Sequence, residues 1–139
     1  MRPGIWSALR ALATATLILV FPVSGQAETQ TNLPRADAVA YESFEQIDTL
    51  ASKGPTVVYF HATWCPTCQA AMTSFRGRWP EVKAGITLVI ADYDDEVQLK
   101  SRYGITYQNT YVQVSPDGTP KSVWNGGGIA ALNDNTIFD

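Results

Sequence analysis

Two stretches of this chain, Thr56 to His61 and Ile86 to Ala91, are apolar at nearly every position, and the segment between them carries apolar residues at helical spacing. A strand that is apolar throughout is one covered on both faces, so the pattern predicts two central strands joined by a parallel crossover. The helix between them starts at Pro66 and sets Cys68, Ala71, Met72, Phe75 and Trp79 on one stripe before Pro80 ends it. Upstream, Val39 to Tyr41 predicts a short strand. Ser43 with Gln46 makes a capping-box pattern, Phe44, Ile47, Leu50 and Ala51 follow at helical spacing, and Lys53-Gly54-Pro55 stops that helix. Downstream, Asp92-Tyr93-Asp94-Asp95-Glu96 opens a helix that runs to Tyr103 and halts at Gly104, with the acidic side chains capping it and favouring its dipole. Thr110 to Val114 and Lys121 to Trp124 flank Ser115-Pro116-Asp117-Gly118-Thr119-Pro120, a turn sequence that predicts an antiparallel hairpin. Gly126-Gly127-Gly128 then precedes Ile129 to Phe138, which has room for one or two helical turns.

The amino-terminal residues follow a different pattern. Arg2 and Arg10 supply positive charge, Ala11 to Phe21 is apolar, and Gly25-Gln26-Ala27 reads as a cleavage site, so residues 1–27 are expected to be a signal peptide removed after Ala27. The apolar run is shorter than the roughly 20 residues a membrane-spanning helix needs, so no stable membrane insertion is expected after cleavage. The expected location is the periplasm or the outside of the cell. Residues 28–37 are polar and contain Pro34, which predicts a loose mature terminus, and residues 38–139 are expected to form one domain.

Composition narrows the partners. The whole chain has 139 residues and a formal charge of −3. Without Arg2 and Arg10 it keeps 8 basic residues against 13 acidic ones, a formal charge of −5, which argues against nucleic acid or an anionic membrane surface as a partner. The only two cysteines lie in Trp64-Cys65-Pro66-Thr67-Cys68, directly after the first buried strand. A bridge that closes so short a loop removes little unfolded-state entropy and makes a poor staple, which turns attention to chemistry.

With Cys65 at the N-cap and Pro66 as first helical residue, proline's missing N–H costs nothing and the Cys65 sulfur faces the free N–H groups of residues 67 and 68. A thiolate there is stabilised by hydrogen bonds and by the positive end of the helix dipole, so Cys65 is the expected nucleophile. Cys68 lies one turn on, on the apolar stripe, and is the expected resolving thiol. Trp64 is either a core aromatic or part of a docking surface beside the motif.

At this point the chain resembles the thioredoxin superfamily. The likeness runs from about Val39 to Gly128: the strand Val57-Val58-Tyr59-Phe60, the stretch His61-Ala62-Thr63-Trp64-Cys65-Pro66-Thr67-Cys68, then Tyr103-Gly104-Ile105 and the hairpin. The resemblance implies an α/β, three-layer, thioredoxin-like fold, a central mixed sheet flanked by helices, with dithiol–disulfide exchange at a redox-active Cys65–Cys68 pair. It implies no cofactor. Disulfide-containing or dithiol client proteins are the expected partners, with an electron donor that is either soluble or in the membrane.

Three departures from the family pattern stand out. Where the family has a cis-proline that packs on the cysteines and positions substrate backbone, this chain has Gln108-Asn109-Thr110, and the Gln108–Asn109 peptide is expected trans because a non-proline cis bond costs about 3–4 kcal/mol. Asn109 is open to two roles, a hydrogen bond to the Cys65 thiolate or to a substrate, or satisfaction of its own loop. Where the family often buries an aspartate, one count gives Thr56 and another Tyr59, and the partner lysine's place holds Ile90. Proton transfer at Cys68 is thereby left to water, a neighbouring hydroxyl or an unidentified group. Between the cysteines stand Pro66-Thr67 rather than the Gly-Pro usual in thioredoxins, an order resembling glutaredoxins and periplasmic disulfide oxidases.

The expected activity is thiol–disulfide oxidoreduction, as reductase rather than oxidase. Two alternatives stay open: a copper or zinc binding and delivery protein that uses Cys65, Cys68 and the sole histidine, His61, and a redox-inactive binding module. His61 itself is open to three roles, a bond to backbone, a cation that tunes Cys65, or a metal ligand.

Overall fold

A computed structural model describes residues 36–139. The expected signal peptide and most of the expected loose terminus lie outside the described residues. In chain order the elements are β1 (Asp37–Ala40), α1 (Phe44–Ala51), β2 (Thr56–His61), α2 (Pro66–Arg78), a 3-10 turn (Trp79–Glu81), β3 (Thr87–Asp92), α3 (Val97–Tyr103), β4 (Thr110–Val114), β5 (Pro120–Asn125) and α4 (Ile129–Asn135).

The sheet order is β1-β3-β2-β4-β5. β1 and β2 both run parallel to β3, while β4 is antiparallel to β2 and to β5, so the sheet is mixed as expected. β2 sits at its centre, and its side chains alternate between two cores. Val57 and Tyr59 join Leu88, Tyr111, Ala71 and Phe75 of α2, and Ile129 and Leu132 of α4. Val58 and Phe60 join Val89, Val112, Ile47 of α1 and Leu99 of α3. That is the three-layer arrangement, and it explains why β2 and β3 are apolar on both faces: each side of either strand packs into a core.

The helix ends follow the sequence signals. Ser43 Oγ accepts from Gln46 N at 3.1 Å while Gln46 Oε1 accepts from Glu42 N at 2.9 Å, so the serine and glutamine clasp the start of α1. α3 stops at Gly104, which takes the left-handed conformation at φ 66 while Ile105 N donates to Lys100 O. α2 ends before Pro80, which sits in the 3-10 turn.

Several boundaries differ from expectation. β1 begins at Asp37 and Ala36 is already buried, so the ordered domain reaches into the segment expected to be loose. Tyr41, expected in that strand, lies just beyond it, although its N–H still donates to Ile90 O. The acidic run does not open α3. Asp92 ends β3, and its Oδ1 accepts from the backbones of Asp94 and Asp95 at 2.8 and 3.1 Å, closing a turn before the helix starts at Val97. An aspartate satisfies nearby N–H groups as readily in such a turn as at a helix cap, and composition alone does not separate the two. β5 begins one residue early, at Pro120, opposite an irregularity between Gln113 and Val114 on an edge strand that tolerates a missing N–H. No helix among the described residues is long and apolar enough to cross a membrane.

The two cores make a direct prediction about stability. Leu88 is fully buried in the core beneath α2 and α4, so Leu88→Ala should lower the unfolding free energy by about 2–5 kcal/mol in urea titrations. Val123, 53% exposed on the β5 edge, should tolerate the same truncation within about 0.5 kcal/mol.

Candidate active site

The site forms where β2 runs out. After His61 the chain passes through Ala62, Thr63 and Trp64, and Cys65 N bonds back to Ala62 O at 3.2 Å, which sets Cys65 at the N-cap of α2 in an extended conformation. Pro66 occupies the first turn, as the sequence predicts. The Cys65 sulfur accepts from Cys68 N at 3.2 Å and lies 3.2 Å from Thr67 Oγ1. Both cysteines are free thiols. They differ little in exposure, Cys65 being 2% and Cys68 0% accessible, so their chemical difference comes from their partners.

Burial alone would push the Cys65 thiol up. Hydrogen bonds from the Cys68 and Thr67 side chains and from the Cys68 and Thr67 N–H groups outweigh it and hold the Cys65 pKa below its ordinary value. For Cys68 the balance reverses: burial dominates and raises its pKa, against opposing hydrogen bonds that include one from Tyr59. The pair is thus split into a thiolate-forming sulfur at the helix tip and a thiol behind it. Such a pair can attack a disulfide with the first sulfur and release it with the second.

Trp64 is not a core residue: it is 57% exposed, and its Nε1 donates to Asp94 Oδ2 at 2.7 Å, which pins the indole beside the cysteines. Part of the acidic run therefore serves the site. Asn109 is held at φ 59, and no cis peptide occurs among the described residues, in line with the expected trans bond. A left-handed backbone is one that asparagine tolerates better than most residues. Its N–H donates to Phe60 O at 2.9 Å and its carbonyl accepts from Gly126 N at 2.8 Å, locking the loop to β2 and to the triglycine segment. Its side-chain oxygen bonds neither the Cys65 sulfur nor its own loop. Asn109 Oδ1 accepts from the buried Tyr59 hydroxyl at 3.1 Å.

Gln108 and Thr110 shape the same loop. Asn125 Nδ2 donates to Gln108 O and to Thr110 Oγ1, both at 2.9 Å, and Thr110 Oγ1 donates to Tyr107 O at 2.7 Å. A groove bounded by Thr67, Ser74, Asn109, Gly127 and Ala131 opens beside the motif.

His61 closes β2. Its ring meets Tyr59 edge-on at 6.0 Å, and burial lowers its pKa despite the opposing pull of Asp92, so it stays uncharged at neutral pH and is no cation for Cys65. Among the described residues no three His, Cys, Asp or Glu side chains gather where they could hold a metal ion, so His61 does not complete a ligand set with Cys65 and Cys68.

Two partners escaped the sequence reading. The sequence places Thr67 in the motif and in the expected docking surface with Trp64, Pro66, Gln108, Asn109 and Thr110, and its hydroxyl also reaches the Cys65 sulfur. Tyr59 was noted only as lacking a carboxylate, yet its hydroxyl lies 3.5 Å from the Cys68 carbonyl. The available signal was positional: Tyr59 stands at one of the two places where the family's buried acid was sought.

Comparison with known proteins bears on this geometry. The family model for thioredoxin matches residues 36–134. Among solved structures, the thioredoxin of Malassezia sympodialis is similar at 22% identity with a TM-score of 0.60, covering 73% of this chain and 89% of that one. The reduced thioredoxin pre-protein of Schistosoma mansoni is 22% identical with a TM-score of 0.56, covering 72% and 93%. The Trxlp protein of Edwardsiella tarda is 19% identical with a TM-score of 0.54, covering 70% and 95%. No curated protein matches the sequence.

The hydrogen bonds to Cys65 set its reactivity against pH. Its alkylation by iodoacetamide should rise with a midpoint below that of an ordinary cysteine, and the rate should fall as pH drops through that midpoint because the thiolate is lost. Thr67→Val should move the midpoint up by about half to one pH unit, the worth of one hydrogen bond to a charged sulfur.

Proposed function

The chain belongs to the thioredoxin family, its Cys65–Cys68 pair makes it a thiol–disulfide oxidoreductase in general character, and we propose that it works as an exported reductase of client-protein disulfides. In this proposal the Cys65 thiolate attacks a client disulfide. One client sulfur leaves as a thiolate and takes a proton from solvent, and a mixed disulfide forms at Cys65. Cys68 then gives up its proton and attacks the Cys65 sulfur, forming the Cys65–Cys68 disulfide and releasing the second client thiol. A dithiol donor, in solution or in the membrane, returns the pair to its reduced state by the same exchange run backwards.

The observation that carries this proposal is the split pair: one sulfur at the helix tip, met by Cys68 N and the Thr67 hydroxyl and held low, the other raised by burial behind it. The direction of flow rests on the absence of any cation in that set. Oxidases of this kind are strong because their reduced thiolate is heavily stabilised, whereas the Cys65 sulfur is served by the neutral donors Thr67 and Cys68 and the neighbouring imidazole is uncharged. The exposed Trp64 and the Gln108-Asn109-Thr110 loop provide the surface against which a client backbone would lie. Export rests on the sequence of residues 1–27 alone, and client proteins outside the cytoplasm follow from it.

Cys68→Ala should leave mixed disulfides stranded on Cys65, seen as reducible higher-mass bands in extracts of the exported compartment, and Cys65→Ala should abolish them. Retention of a partner by the double Cys→Ser variant, with nothing trapped by Cys68→Ala, would instead identify a binding module. The potential of the Cys65–Cys68 couple, equilibrated against glutathione, should lie nearer the thioredoxin value of about −270 mV than the roughly −120 mV of a strong oxidant.

A further inference from the structure

Cys65 is the nucleophile of the proposed reaction, yet it is only 2% accessible. A thiolate attacks a disulfide along the line of the two sulfurs, so it needs open space on that line as well as charge. The residues around it in the chain, Thr63, Trp64, Pro66 and Thr67, are all exposed, which makes the cover over Cys65 a shallow one.

Tyr93 lies against the cysteines. Ala62, Cys65 and Cys68 form a small buried cluster, and the partly buried hydrophobic side chain packed on it is Tyr93, from the turn between β3 and α3. The backbone of this residue is fixed. Its N–H donates to His61 O at 2.8 Å, and Asp92 Oδ1 closes the turn by accepting from Asp94 N and Asp95 N. The far side of the ring is held more lightly, by two contacts at the surface. The hydroxyl donates to the carbonyl of exposed Thr106 at 2.9 Å, and Lys100 Nζ of α3 sits 4.1 Å from the ring centroid. Water competes for both contacts, so the ring is able to leave by side-chain rotation while the backbone stays in place. Trp64 differs from it: pinned to Asp94 by the same turn, its indole stands out from the surface instead of closing it.

We propose that Tyr93 is a gate over the cysteine pair, a specificity-determining residue whose ring must swing away from Thr106 and Lys100 before a bulky disulfide reaches the Cys65 sulfur. While the ring is in place, only slender reagents reach that sulfur. The gate governs access and leaves the stability of the thiolate alone, because the Tyr93 hydroxyl is spent on Thr106 and the Cys65 sulfur is served by Thr67 and by Cys68 N. Its closing contacts come from α3 and from the loop before β4, two segments that carry no part of the cysteine motif.

This inference rests on the role proposed above for Cys65, but its test needs no client. Alkylation of Cys65 is followed by peptide mass with two uncharged reagents, slender iodoacetamide and bulkier N-phenylmaleimide, above the Cys65 midpoint where the thiolate is fully formed. Failure to trap clients would sink the proposed function and leave these rates measurable. Tyr93→Phe keeps the ring and loses the bond to Thr106, while Lys100→Met removes the cation. Each should raise the ratio of the bulky to the slender rate about threefold, the worth of one such contact in an opening equilibrium. Tyr93→Ala removes both contacts and the ring itself and should raise the ratio about tenfold or more. No variant should move the pH midpoint of alkylation. The two conservative variants keep the packing against the core, so they decide the test where Tyr93→Ala fails to fold. A ratio unchanged in both overturns the proposal. So does an equal acceleration of the two reagents, which general loosening of the site would give, or a shifted midpoint that accounts for the gain.

Discussion

The organisation of this domain depends on the burial of β2 on both faces. The strand lies between β3 and β4, with α1 and α3 on one side and α2 and α4 on the other. A strand held in this way cannot shift its register by one residue without sending Val57 and Tyr59 into the wrong core, so its carboxyl end is fixed in space. The cysteine pair hangs from that end: His61 closes the strand, and Cys65, four residues on, caps the next helix. The precision of the site is inherited from the packing of the sheet rather than built by the loop.

The helix tip makes the two sulfurs unequal. Cys65 meets backbone N–H groups that α2 cannot satisfy internally, and the Thr67 hydroxyl adds a further donor. Cys68, one turn along, shares a small cluster with Cys65, Ala62 and Tyr93, and there burial outweighs its hydrogen bonds. The difference is chemical rather than steric, because both sulfurs are almost entirely covered. Pro66 favours the same geometry by committing the backbone to the helix at the point where the cap is needed.

Around this pair the domain replaces two fittings of its family by one linked substitution. A left-handed, trans asparagine stands where the resemblance places a cis-proline, and a tyrosine hydroxyl stands where a carboxylate was sought. In the folded chain these two residues are bonded to each other at 3.1 Å. Fifty residues separate them in sequence, so neither departure explains the other until the sheet brings β2 and the loop before β4 together. The aromatic stack of Tyr59, Tyr111 and Trp124 across β2, β4 and β5 gives that pair its rigid backing.

Much of this was legible in the chain itself. Continuous apolar runs gave β2 and β3, helical spacing and caps gave α1 and α2, and Pro66 after Cys65 placed that cysteine at the helix N-cap, because those signals depend on neighbours within a few residues. The acidic run reads as a helix opening but closes a turn, since an aspartate caps a turn and a helix through the same short-range bond. Trp64 bonded to Asp94, and Tyr59 bonded to Asn109, could not be read at all: each joins segments at least thirty residues apart. Local sequence determines which residues form strands, helices and a reactive N-cap. Only the tertiary structure decides which distant polar groups meet behind the cysteines, because that pairing is set by sheet register and packing rather than by any spacing along the chain.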